Sequence, residues 1–277
     1  MPKGLDSKTS SDYTTLTITH DSVKSPIQCH SYASPSTIAP PTLVFTHGAG
    51  GTLSAPAVTD FCKGYSNSNS SSSPVLAFQG SMNLGARTKG FHACLEHLRR
   101  ASSVSNNKHG NRGTTGDFVL LGGRSMGARA AVIALTEHLS FTASSTSSSA
   151  SSASPPLLIL ASYPLQGPKD VRDQILVDLP ACVSVLFVVG DRDSMCPLDM
   201  LDHVRKKMKA QSWLIVVEGA DHGMHVGGGG GGGKEKEMLL GAMVGSMASE
   251  WVGGSREKRE EKIWWDEDER RIGRGLV

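Results

Sequence analysis

The sequence predicts an α/β fold: a mostly parallel central sheet with an antiparallel N-terminal edge, helices on both faces and no large cap domain. Three observations predict it. Short apolar runs rich in Val, Ile and Leu recur along the chain, as strands covered on both faces do. Segments with helical spacing of apolar residues separate those runs, so successive strands are joined by crossovers and lie parallel. The first two β-rich segments lack such a helix between them and read instead as an antiparallel hairpin.

Taken in order, residues 14–19 (TTLTIT) alternate and are β-branched, and with Ile27–Tyr32 they form the hairpin at the sheet edge. Leu43–Thr46 is a short buried strand running into His47-Gly48-Ala49-Gly50-Gly51. A helix follows from Ala55, with Ser54 as N-cap and Pro56 in the first turn. Val75–Phe78 is the next strand, followed by a helix carrying Phe91, Cys94, Leu95 and Leu98. Residues 118–121 form the strand before a turn at Ser125, and the helix after that turn buries Ala130, Val132, Ile133 and Leu135. Leu157–Ala161 and residues 183–189 are fully covered strands, with room between them for one helix at 170–178. Leu201, Val204 and Met208 make one stripe of a helix. Residues 214–217 are read as the last strand, and Met238, Leu239, Ala242, Met243 and Trp251 as the buried face of the final helix.

At 277 residues the chain suits one large domain, though its 38% apolar content is low for a packed body. Serine and glycine tracts account for the dilution. They fall at 66–73, 143–154 and 227–233, between expected elements, and read as loops without chemistry of their own. The organisation expected is a flexible polar segment at 1–12, a body at 13–252 and a charged, mostly solvated tail at 253–277. In that tail the pair Trp264-Trp265 has two open readings, docking on the body or on a protein partner. The net charge of +2 creates no field for nucleic acid or an anionic membrane. No apolar run approaches the roughly 18 residues a bilayer requires, and the N-terminus shows no apolar core of a secretory leader. Cys29, Cys62, Cys94, Cys182 and Cys196 are odd in number and never spaced C-x-x-C. Reduced thiols, and hence a cytosolic protein, are expected, with the nucleus as the other reduced compartment.

The chemistry concentrates around Leu120-Leu121-Gly122-Gly123-Arg124-Ser125-Met126-Gly127-Ala128-Arg129-Ala130. It combines an apolar strand, a glycine-pinched turn with serine at its tip, and an alanine-rich helix start. Gly-x-Ser-x-Gly in that context presents a serine hydroxyl on a strained strand-to-helix turn. A serine is a poor nucleophile near neutral pH, so acyl transfer requires a base and a group that orients the base. Asp193 and Asp191 stand in the loop after the strand at 183–189, and His222 and His225 in the loop after 214–217. Asp193 and His222 are preferred. Asp191 suits a backbone-bonding turn aspartate, and His225 is the fallback base. Two backbone N–H groups would bind a developing oxyanion, those of Ala49 and Met126, with His47 bracing the loop. The other reading of residues 47–51 is a plain turn or a phosphate loop, but no Gly-Lys-Ser/Thr follows. No metal spacing occurs, and neither metal nor cofactor is expected. Cys196 reads as a free thiol without a base. Pro164, Leu165 and Gln166 line the site or form an ordinary loop, and Arg129 pairs locally or meets an acidic substrate.

These residues resemble the α/β-hydrolase superfamily from about Leu43 to Trp251. Within it the chain is similar to predicted hydrolases related to dienelactone hydrolase. The nearer resemblance is to the group of testis-expressed protein 30 and the third subunit of the nonspecific-lethal chromatin complex. It rests on residues 123–131 (GRSMGARAA), Ser162-Tyr163-Pro164-Leu165, Leu186-Phe187-Val188-Val189-Gly190 and Asp221-His222-Gly223-Met224. The resemblance implies an α/β-hydrolase fold and a catalytic Ser125, Asp193 and His222; it implies no substrate. A serine hydrolase of esters or thioesters is the function expected, acting on a small molecule in an open cleft. The competing expectation is a hydrolase-like scaffold in a protein complex, chromatin-associated and reached through the C-terminal tail.

Overall fold

The computed structural model describes residues 12–32, 42–68, 73–109, 119–145, 155–227 and 233–277. Its strands are β1 (Thr14–Ile18), β2 (Ile27–Tyr32), β3 (Leu43–Thr46), β4 (Val75–Phe78), β5 (Leu120–Arg124), β6 (Leu157–Ala161), β7 (Ser184–Gly190), β8 (Gln211–Val217), β9 (Glu260–Asp266) and β10 (Arg271–Leu276). Its helices are α1 (Pro56–Ser66), α2 (Leu84–His109), α3 (Met126–Ser145), α4 (Gln174–Val177), α5 (Leu198–Lys207) and α6 (Gly233–Val252). The strands form one sheet in the order β1-β2-β4-β3-β5-β6-β7-β8-β9-β10. All pairs from β4 to β9 are parallel, while β1–β2, β2–β4 and β9–β10 are antiparallel.

Alternation along the central strands divides the core between the two faces. Val185, Phe187 and Val189 of β7 join Leu158 and Leu160 of β6 on the face covered by α2, α3 and α5. Leu186 and Val188, with Leu157, Ile159 and Ala161, face α1 and α6. A strand buried on both sides has no polar alternation to show, so its sequence is one apolar run. Helices α1 and α6 approach so closely that a Cβ on Gly64 or Gly245 would overlap the backbone of the other helix.

Several sequence expectations change. The segment 253–277 stays largely exposed, as expected, but it is not a tail apart from the body: β9 lies parallel to β8 and β10 closes the edge. Ile263 is fully buried against the α1/α6 face, and the charges around it are paired. Glu260 takes Arg205 at 2.7 Å, Lys262 takes Glu218 at 2.6 Å, and Arg274 bridges Glu250 and Glu261 at 2.9 Å each. The body therefore does not stop at 252, and residues 214–217 are the end of β8, not of the last strand. Trp264 packs within the β9–β10 hairpin, and Trp265 meets α6 of the body. The Trp264 ring occupies the place a side chain at Gly273 would take, and Trp265 donates to Glu267 at 3.1 Å beneath the Lys236 ammonium. On α6 the buried row is Leu240, Val244, Met247, Ala248 and Trp251, whereas Met238 and Leu239 are 47% and 37% exposed. The close approach at Gly245 selects that row. The helix expected at 170–178 shrinks to α4, because a tight bridge between Gln166 and Val171 occupies its first half. In addition, α1 is capped by Ala55 with Pro56 at its first position, not by Ser54. Phe118 lies outside the described residues, as do 1–11 and parts of the three low-complexity tracts.

Candidate active site

The loops leaving the C-terminal ends of β3 to β8 meet above one edge of the sheet, where open α/β sheets present their ligand sites. Ser125 stands between β5 and α3 with φ 54°, the left-handed region that a non-glycine residue adopts at a cost of roughly 1–3 kcal/mol. The neighbours enforce it. A Cβ on Gly123 would lie 2.5 Å from the carbonyl carbon of Gly127, and a Cβ on Gly127 would lie 2.6 Å from the Thr46 carbonyl oxygen. The Ser125 N–H donates to the Ala161 carbonyl at 3.0 Å, tying the turn to the end of β6.

His222 reaches this serine from the loop after β8. Its Nε2 stands 2.9 Å from Ser125 Oγ, and its Nδ1 stands 2.9 Å from each carboxylate oxygen of Asp193. Asp193 is 3% exposed. Its Oδ1 also accepts the N–H groups of Met195 at 2.8 Å and Cys196 at 3.1 Å, so the carboxylate is held by its own loop. A carboxylate at Nδ1 leaves the lone pair of Nε2 facing the serine. Asp191 does something else: its Oδ1 accepts the Gly219 N–H at 2.7 Å, a bond between the β7 and β8 loops. His225 turns away and pairs with Asp221 at 3.2 Å on the surface.

The loop after β3 brings Gly48 against the serine, where an added Cβ would stand 3.2 Å from Ser125 Cβ. Ala49 is exposed in the turn and Met126 opens α3; among the described residues neither backbone N–H has an acceptor. His47 is buried beneath them. Its Nε2 accepts the Gly80 N–H at 3.0 Å and faces the Gln79 amide nitrogen at 2.7 Å, so its proton is on Nδ1, donated to the Gly48 carbonyl at 2.7 Å. Burial holds the His47 pKa below its ordinary value; the Gly48 bond raises it and the Arg87 charge lowers it further.

Two arginines complete the surroundings. Arg87 of α2 is fully buried, and its guanidinium donates to the carbonyls of His47, Gly48, Gly80 and Ser81. Burial draws its pKa down to about 10, leaving it cationic at neutral pH. Arg124 donates from Nη2 to the His222 carbonyl, linking the two loops that carry serine and histidine. Nothing in the sequence singles out Arg87, since its partners are all main-chain oxygens and leave no trace in residue type.

The remaining sequence candidates separate. Pro164 and Leu165 are buried, and exposed Gln166 donates to the Met200 sulfur at 2.8 Å. Cys196 is buried and its thiol is pushed up to about 12 by burial and then by the Asp193 charge, which makes it inert. The Arg129 Nε is buried without a hydrogen-bond partner among the described residues.

A sheet of this order, a serine on a left-handed turn after its fifth strand, and a histidine after its eighth define a class. The chain belongs to the α/β hydrolase domain family, whose model matches residues 39–250. Solved structures share its fold. An α/β serine hydrolase homologue from Coxiella burnetii has a TM-score of 0.54 at 13% identity, covering 87% of this chain and 99% of its own. An α/β serine hydrolase without a lid from Xanthomonas campestris gives 0.55 at 17% identity, covering 88% and 96%. Dienelactone hydrolase from Anabaena variabilis gives 0.52 at 15% identity, covering 88% and 98%. As in a lidless fold, no separate cap domain stands over the sheet edge among the described residues.

Proposed function

We propose that this protein is a serine hydrolase that cleaves a small ester or thioester through an acyl-enzyme on Ser125. The observation that carries the proposal is the continuous relay of 2.9 Å contacts from Ser125 Oγ through His222 to Asp193. His222 Nε2 takes the serine proton as Oγ attacks the carbonyl carbon, and Asp193 stabilises the imidazolium that forms. The carbonyl oxygen becomes an alkoxide and accepts the free N–H groups of Ala49 and Met126. Collapse breaks the bond to the alcohol or thiol, which leaves with the proton returned by His222. Water then cleaves the acyl-enzyme by the same route, releasing an acid and restoring Ser125.

The lidless fold favours a short or extended substrate over a deeply enclosed lipid chain. The five free cysteines suit a reducing compartment, the cytosol or nucleus. The finer kinship, with the testis-expressed and nonspecific-lethal group, rests on the motifs at 123–131, 162–165, 186–190 and 221–224. A non-catalytic scaffold would have no use for a strained serine aligned with an oriented imidazole. The test is a panel of short 4-nitrophenyl esters and acyl thioesters assayed with wild type and Ser125→Ala. Turnover by wild type alone supports the reading, and equal background with both overturns it.

A further inference from the structure

Resting on the serine-hydrolase reading above, the geometry points to Arg87 as the positioning residue of the oxyanion site, acting through the Gly48–Ala49 peptide. Among the described residues no carboxylate pairs with this fully buried guanidinium. It spends its donors on four main-chain carbonyls: Ser81 at 2.8 Å from Nε, Gly80 at 3.3 Å from Nη2, and those of His47 and Gly48. A buried cation bonded only to carbonyl dipoles is costly as a fastening, since apolar residues would fill the space without the desolvation penalty. Its placement gives it a use.

The Gly48 carbonyl is held on one side by Arg87 Nη1 and Nη2 at 3.4 and 3.3 Å, by His47 Nδ1 at 2.7 Å and by the Gly51 N–H at 3.3 Å. That carbonyl and the Ala49 N–H belong to one peptide unit, and the described residues contain no cis bond. In a trans peptide C=O and N–H point in opposite directions. His47 makes the shortest of the bonds to the Gly48 oxygen and Arg87 adds two from the guanidinium; fixing that oxygen between them fixes the Ala49 N–H on the opposite side, free to meet an oxyanion. The cation does a second thing. It polarises the Gly48–Ala49 peptide, strengthening the donor at its far end as bonds in a chain strengthen one another, and its field favours negative charge next to Ser125. Gly80 makes room for this, since a Cβ there would lie 2.8 Å from the Arg87 guanidinium carbon.

Such a role acts on the tetrahedral state more than on bound substrate, so it predicts a loss in kcat with KM retained. The variants are Arg87→Met, which removes cation and donors, and Arg87→Lys, which keeps the cation without the fork. The probes are 4-nitrophenyl acetate and a short aryl trifluoromethyl ketone, whose hemiketal anion imitates the intermediate. Activities are expressed per serine titrated by a fluorophosphonate, so that loss of folded protein does not count. Arg87→Met should lose about 10–100-fold in kcat, somewhat less than deletion of a direct oxyanion donor. KM should hold, the ketone should weaken by the same factor, and Arg87→Lys should recover part of both. If Arg87→Met does not fold, a matched loss of kcat and ketone affinity in Arg87→Lys supports the inference. Wild-type values per titrated serine in whichever variant folds would overturn it. A wild type that neither takes the label nor hydrolyses the ester overturns the serine-hydrolase reading itself, which is a different result.

Discussion

Replacing Asp193 by asparagine perturbs the proposed relay with little change of shape. Asp193 is buried, with Oδ1 accepting the N–H groups of Met195 and Cys196 and both oxygens 2.9 Å from His222 Nδ1. An asparagine keeps its oxygen on those two N–H groups and so turns its NH₂ toward the imidazole. An Nδ1–H facing that NH₂ would set donor against donor, which favours the tautomer with the ring proton on Nε2, 2.9 Å from Ser125 Oγ. A protonated Nε2 cannot take the serine's proton. Turnover should fall by about 10⁴-fold, the cost of a wrong-tautomer histidine in other serine hydrolases, or about 5 kcal/mol of barrier. Stability should fall far less, because only the charge-assisted bond to His222 is lost, about 1.5–3 kcal/mol at most. The assay pairs ester hydrolysis with urea unfolding. Asp191→Asn is the control, since Asp191 is exposed and its asparagine can still accept from Gly219. A folded Asp193→Asn protein with near-normal turnover, or an Asp191→Asn protein with none, would refute the reasoning.

Two further outcomes follow from the structure. Ile263→Ala should cost about 2–5 kcal/mol in urea unfolding, the range for truncating a fully buried aliphatic residue; an unchanged midpoint would mean that β9 adds nothing to the folded body. His47 is held below its ordinary pKa of 6.5 chiefly by burial, so below that pH the unfolded chain binds the extra proton first. Its contribution to stability is complete above pH 6.5 and is lost as the pH falls through the lower folded value. His47→Gln should therefore flatten the acid side of the stability curve, and an unaltered slope would contradict the assignment.

Much of this architecture was legible because burial on both sheet faces leaves strands as bare apolar runs. Leu43–Thr46, Val75–Phe78 and Leu157–Ala161 match the sequence reading residue for residue. The serine turn was legible for a related reason: the close approach of β5, α3 and β3 excludes side chains at Gly123 and Gly127, and glycine is visible in a sequence. What escaped has a common cause in pairing. Strand β9 reads Glu-Glu-Lys-Ile-Trp-Trp-Asp, and its charges look solvated until Arg205, Glu218 and Arg274 are seen beside them. The face of α6 was ambiguous because Met238, Leu239, Leu240, Met243 and Val244 surround the helix, and the contact at Gly245 with α1 chooses among them. Arg87 escaped because main-chain carbonyls are its partners.

The central claim is that Ser125 is a nucleophile activated by His222. It is tested most directly by exposing wild type and Ser125→Ala to a fluorophosphonate and locating the adduct by peptide mass spectrometry. A single adduct on the peptide containing Ser125 in wild type, and none in the variant, is the result expected. Equal labelling of the two proteins, or an adduct on another residue, would contradict it.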